Sequence, residues 1–264
     1  MYRWQLRVLQ SMLIVSALVL GNSQAQALPM NTRPVVDIGS NSNEATLQEV
    51  LDSITIAGPG IDVTNDQSPY ALFTGNASGG AVATFIIELA GYSNTSQFGI
   101  YSSNEPTKKA LIFNGAEGAG DQSLVSFMAN GNIKVNGTVV SSNFSSTFGF
   151  YLDVYGEDRA LDYTFYSEDE HNPDGAAQAL IYQGDNATTL QVPGYYPGLF
   201  DASEYIIAFE DLVLSSSDKD YNDLVVMVES ISPVHTPEPA TMLLLGTGLL
   251  AMAGYGWRRQ KQLP

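Results

Sequence analysis

The densest run of side chains able to ligate a metal is Ser215-Ser216-Ser217-Asp218-Lys219-Asp220-Tyr221-Asn222-Asp223. Asp218, Asp220 and Asn222 alternate with other residues, so a looped backbone aims several oxygens at one point. Hard cations such as calcium take six to eight oxygens at about 2.4 Å. Carboxylates this close repel one another unless a cation lies between them. Calcium is the expected cofactor, with Asp218, Asp220, Asn222 and Asp223 as ligands; the alternative is an acidic turn separated by water. An EF-hand is excluded, because its sixth position calls for Gly and holds Asp223, and a strand pattern follows where a helix is required. Glu229 at the twelfth position is a coincidence of spacing. Glu210 and Asp211 follow the apolar run Tyr205–Phe209. Neighbours on a strand face opposite ways, so one of the two reaches the cluster, and Asp211 is the expected fifth ligand.

A second acidic loop, Glu168 to Gly175, offers Glu168, Asn172 and Asp174 to a cation or forms a plain turn. Catalytic patterns are poor. The chain has two histidines, His171 and His235, so a Ser-His-Asp triad would have to use His171. No G-x-S-x-G elbow, H-E-x-x-H pair or glycine-rich phosphate loop occurs. A glycosidase needs only two placed carboxylates, which 28 acidic residues do not exclude. The expectation is a protein that is not an enzyme. A carbohydrate-binding module is the alternative, with Tyr155, Tyr166, Tyr195 and Tyr196 as flat faces for sugar rings.

These residues need strands to position them. Leu47, Val50, Leu51 and Ile54 share a helical face, predicting a short helix over Leu47 to Ser53. The period then changes to two: Phe148, Phe150, Leu152 and Val154 share one face of a strand. Ala81–Leu89 reads as a strand buried on both faces. Further candidates are Phe98–Tyr101, Ala110–Phe113, Leu124–Met128, Tyr163–Ser167, Ala179–Tyr182, Tyr205–Phe209 and Leu224–Val228. Asn130-Gly131, Asn136-Gly137 and Asp174-Gly175 supply turns. The fold class expected is all-β, a single jelly-roll-like β-sandwich over 47–230 with a short N-terminal helix.

The ends read as addresses. Arg3 and Arg7, the apolar stretch Met12–Leu20 and the small residues Ser23–Ala27 describe a signal peptide over 1–27, cut after Ala25 or Ala27, with Ala27 preferred. Signal peptidase is thus an expected partner. A linker, 28–46, follows. At the other end, linker 231–239 contains Pro237-Glu238-Pro239. Ala240–Trp257 is then 18 residues without a charge, roughly 27 Å as a helix and barely a bilayer core. A basic tail, 258–264, stays cytoplasmic. Membrane contact is expected through this C-terminal helix.

The formal charge is −17. Setting aside Arg3, Arg7, Arg258, Arg259 and Lys261 from the 11 basic residues leaves six against 28 acidic. Such a body repels nucleic acid and anionic membranes and attracts cations. There is no cysteine, so disulfides and thiolate metal sites are excluded, and stability rests on the core and on any bound metal.

Pro237-Glu238-Pro239, one apolar span and a terminal arginine cluster resemble the PEP-CTERM sorting signal of Gram-negative bacteria. The resemblance implies processing by an exosortase, a surface or extracellular destination, and association with exopolysaccharide or biofilm. The segments Phe98-Gly-Ile-Tyr, Phe148-Gly-Phe-Tyr-Leu, Ala208-Phe-Glu-Asp-Leu and Asp218-Lys-Asp-Tyr-Asn-Asp resemble a β domain of unknown function that often precedes such a tail. Ala177-Gln178 stand where that family often carries Asp-His.

Overall fold

The structure, a computed structural model, describes residues 33–40, 44–75, 81–88 (backbone), 96–234 and 246–248. The four apolar residues at helical spacing become the buried face of α1 (Leu47–Ile54). Thr46 caps it: its hydroxyl accepts the Glu49 N–H at 3.2 Å, and the Glu49 carboxylate accepts the Thr46 N–H at 2.9 Å. That reciprocal pair satisfies two amides otherwise lacking a partner at the helix start.

The chain then continues through β1 (Thr55–Ala57), β2 (Phe73–Gly75), β3 (Ala81–Glu88), β4 (Gln97–Ser102), β5 (Glu105–Phe113), β6 (Gln122–Phe127), β7 (Ile133–Val135), β8 (Thr138–Ser141), β9 (Thr147–Tyr155) and β10 (Leu161–Tyr166). After two short 3-10 turns come β11 (Ala179–Gln183), β12 (Thr189–Leu190), β13 (Gly198–Leu199), β14 (Tyr205–Phe209), β15 (Leu224–Glu229) and β16 (Ile231–Pro233). One sheet runs β16-β2-β9-β4-β5, with β10 also on β9; the other runs β11-β14-β15-β3-β6-β7-β8. Asn136 and Gly137, at φ 50° and 83°, make the tight turn between β7 and β8.

The two sheets pack face to face as an all-β sandwich. Phe98 of β4 meets Phe209 of β14 edge-on at 6.2 Å, and Phe73 of β2 meets Tyr205 of β14 at 4.8 Å. Phe148, Phe150, Leu152 and Val154 point into this core, as their period-two spacing predicts. A second core lies behind the larger sheet, where α1 packs on Leu180, Tyr182, Ile206, Ala208 and Val225. β14 is therefore buried on both faces, which is why its sequence is apolar without alternation. A small sheet, β1-β12-β13, was not foreseen; strands of two or three residues are too short to display a period.

The outer face of the smaller sheet carries a reciprocal packing device. Gly99 faces Tyr151 across the β4–β9 pair, and Tyr101 faces Gly149. A Cβ on Gly149 would collide with the Tyr101 ring, and one on Gly99 would lie 2.7 Å from Tyr151. Each glycine thus leaves room for the ring opposite it. Lys109 reaches 4.6 Å from the Tyr151 ring centre and pairs with Asp153 at 2.6 Å.

Residues 33–40 and 44–46, read above as part of a linker, lie as a strap against the body. The Val35 amide and carbonyl both bond the Gln67 side chain at 2.8 Å, and the Gly39 N–H donates to Lys219 O at 2.8 Å. Arg33 Nη2 donates to Asp169 at 2.9 Å. The signal-peptide cut at Ala27, the Pro237-Glu238-Pro239 motif and nearly all of the apolar tail lie outside the described residues. Among those described, no helix is long and apolar enough to cross a membrane.

Candidate metal centre

Register places the acidic residues at one end of the larger sheet. Phe209 of β14 pairs with both Leu224 of β15 and Ala179 of β11. Glu210 and Asp211 leave the sheet there, Asp223 enters beside them, and Gln178 precedes β11 on the other side. The loop 212–222 closes over this end. Lys219 and Tyr221 adopt left-handed backbone, φ 62° and 54°, a conformation that ordinary side chains rarely take and that a compact loop must stabilise elsewhere. Tyr221 turns inward, completely buried, and its hydroxyl donates to Ala177 O at 2.8 Å.

Two groups of carboxylate oxygens form, each with all members within 4.8 Å of one another. Glu210, Asp220 and Asp223 make an inner group, all buried; Glu44, Asp218 and Asp220 make an outer one in which only Asp220 is buried. Asp211 adjoins the inner group: its N–H donates to Asp223 Oδ2 at 2.8 Å. The Asn222 amide nitrogen donates to Ala45 O at 2.6 Å, which leaves its carbonyl oxygen free for a ligand role. Asp211 Oδ2, Asp220 Oδ2 and Asn222 Oδ1 are buried and have no hydrogen-bond partner.

Burial, reinforced by the neighbouring negative charges, pushes every inner carboxylic acid up. Glu210 rises to about 10, Asp211 to about 7 and Asp223 to about 6, and Asp220 rises as well. Without a counter-charge these groups must hold protons or repel. Lys219, in the same loop, is turned to Asp37 at 3.0 Å. A buried polar atom without a partner costs about 1–3 kcal/mol, more if charged. Three orphaned oxygens in an all-oxygen acidic pocket fit a hard divalent cation. A cation would accept lone pairs from Glu210, Asp211, Asp220, Asn222 and Asp223 and neutralise charge that the fold otherwise leaves uncompensated.

Of the residues expected from sequence, the structure brings Asp211, Asp218, Asp220, Asn222 and Asp223 to one loop end. Choosing between Glu210 and Asp211 by strand alternation did not apply, because both lie beyond the last paired residue, Phe209, and both reach the cluster. Glu44 was missed. It stands in a Ser/Asn-rich run with no local pattern, and only the fold of the strap carries it there. Gln178 was noted only as a departure from a family pattern. It is completely buried; its Nε2 donates to Glu210 O at 3.3 Å and Leu212 O at 2.8 Å, and its Oε1 accepts the Leu214 N–H at 3.3 Å.

The second acidic loop is largely committed to its own turn. The Asn172 side chain accepts from Tyr166 N at 2.7 Å and donates to Tyr166 O and Ala176 O at 2.8 and 3.0 Å. Glu168 accepts the Tyr101 hydroxyl at 2.6 Å and lies 3.4 Å from His171. Asp174 is exposed. Of the tyrosines considered for sugar rings, Tyr196 is 94% exposed and Tyr195 39%, whereas Tyr155 and Tyr166 are half-buried.

Comparison with known proteins yields two family matches: a domain of unknown function (DUF4114) over residues 118–231, and a PEP-CTERM protein-sorting motif over residues 235–260. No curated protein matches. Among solved structures, the Chromobacterium violaceum lectin CV2L in complex with alpha-methyl-fucoside aligns at 14% identity and a TM-score of 0.26. The alignment covers 63% of this chain and 98% of the lectin; so loose a superposition carries no argument about fold or ligand. The chain carries a DUF4114 domain followed by a PEP-CTERM sorting motif, and that motif implies export, processing by exosortase and a cell-surface or extracellular destination.

Proposed function

We propose that this is a non-catalytic surface or extracellular matrix protein whose sandwich is closed at one end by bound calcium, and that it works in association with exopolysaccharide or biofilm. The observation that carries the calcium reading is the set of buried, partnerless oxygens of Asp211, Asp220 and Asn222 beside Glu210 and Asp223. The sorting motif supports the destination. The burial of the cluster supports a structural rather than a hydrolytic role: Glu210 and Asp220 are 1% exposed and Asp223 9%, so a polymer has no route to them.

The test is a melting scan of the protein in chelator and then in excess calcium. Ligand at ~100 times its Kd stabilises by about 2.7 kcal/mol, which in a domain of this size raises Tm by roughly 5–11 °C. An unchanged midpoint refutes the calcium reading.

A second reading, carbohydrate binding, is favoured by one observation: Tyr195 and Tyr196 stand exposed on the loop between β12 and β13, and Leu199 of β13 is 50% exposed. Retention on the producing cell's own polysaccharide, lost in a Y195A/Y196A double variant, supports it. Equal retention of the double variant excludes this loop.

A further inference from the structure

Asp220 belongs to both oxygen groups, and it is the only member they share. Oxygens bound to one calcium at about 2.4 Å lie no more than about 4.8 Å apart. The inner trio Glu210, Asp220 and Asp223 meets that limit, and so does the outer trio Glu44, Asp218 and Asp220. Each trio therefore suits an ion of its own. Asp220 is 1% exposed, and its Oδ2 has no hydrogen-bond partner. Its other oxygen accepts a long bond from the Asn222 N–H, at 3.4 Å. The carboxylate joining the two groups is thus buried between them with lone pairs to spare.

The charge count points the same way. Six carboxylates crowd this end: Glu44, Glu210, Asp211, Asp218, Asp220 and Asp223. The lysine in the loop, Lys219, is directed at Asp37. With all six ionised, a single divalent ion leaves four negative charges uncompensated and a second leaves two. Each bound ion relieves repulsion among carboxylates that stand a few ångströms apart.

We infer that this end of the sandwich holds two calcium ions bridged by Asp220: an inner one in the buried trio, and an outer one held by Asp218 together with Glu44 of the N-terminal strap. The inference rests on the calcium reading above and deepens it. The outer ion ties the strap to the loop alongside the Asn222–Ala45 and Gly39–Lys219 hydrogen bonds and the Lys219–Asp37 ion pair. The two ions differ in exposure. The inner is enclosed by side chains, while two of the outer ion's ligands face solvent.

Equilibrium dialysis of the full chain in detergent against radioactive calcium, after chelation, counts the ions. Two per chain is the expected result, falling to one in E44Q and in D218N. Both substituted residues are exposed, so these variants should fold, and a melting scan verifies it. The one ion they retain should still raise Tm over the chelated protein. One ion per chain in the unsubstituted protein overturns the two-ion inference and leaves the calcium reading intact. Two ions persisting in both variants also overturns it. No bound calcium at all defeats both readings together.

Discussion

Gln178 sits one residue before β11 and uses its whole amide on the chain at 210–214. It is a positioning residue for the loop that delivers Glu210 and Asp211. Q178A strands the Glu210 and Leu212 carbonyls and the Leu214 amide, at about 1–3 kcal/mol for each buried group left unpaired. The expected outcome is a lower Tm and weaker calcium binding, read in the same dialysis experiment. Glu204, at the other end of β14, gives a pH prediction. Burial, with the charges of Asp201 and Glu229, raises it to about 7 from an ordinary 4.5. A raised carboxylate favours the folded state while protonated, so its contribution is present below about pH 4.5 and lost as pH climbs through about 7. In saturating calcium, E204Q should match the parent near the acid end and exceed it in Tm near pH 8. Equal midpoints throughout would refute the shift. Single residues were legible in sequence only where neighbours gave a pattern: Asp218, Asp220 and Asn222 announce themselves by spacing, whereas Glu44 has no local signal.

Among the elements, α1, β9, β14 and β15 were legible because each is long enough to show a period or a sustained apolar run. β12, β13 and β16 were not, with two or three residues each. The Gly99–Tyr151 and Tyr101–Gly149 pairs were invisible too, since they depend on the register between strands far apart in sequence. G149A drives a methyl group into the Tyr101 ring, a clash worth about 1–3 kcal/mol of stability. The loss should shrink in a Y101A background, where no ring covers the site. Equal losses in the two backgrounds would show that the ring is not the obstacle.

At the scale of the molecule, the family match begins at residue 118 but the sandwich does not. β3 lies between β15 and β6, and β4 and β2 both pair with β9. A fragment of residues 118–231 therefore lacks the centre of one sheet and two neighbours of β9 in the other. It should show no cooperative melting, while a fragment of 33–234 melts in one transition. All-β architecture was readable from strand patterns and turns. The sheet order was not, because pairing β15 with β3 joins segments that share no local signal.

The last strand has a mechanical consequence. β16 hangs on β2 by three residue pairs, Ile231 with Gly75, Ser232 with Thr74 and Pro233 with Phe73, extended by the Val234 N–H to Leu72 O bond at 2.8 Å. Whatever grips the chain beyond residue 234 pulls on this edge first. A pull there loads these few rungs in turn, from Val234 backwards, before it reaches the β15 ladder. The tail is thus joined to the body through a sacrificial seam, which takes up a tug before the core feels it.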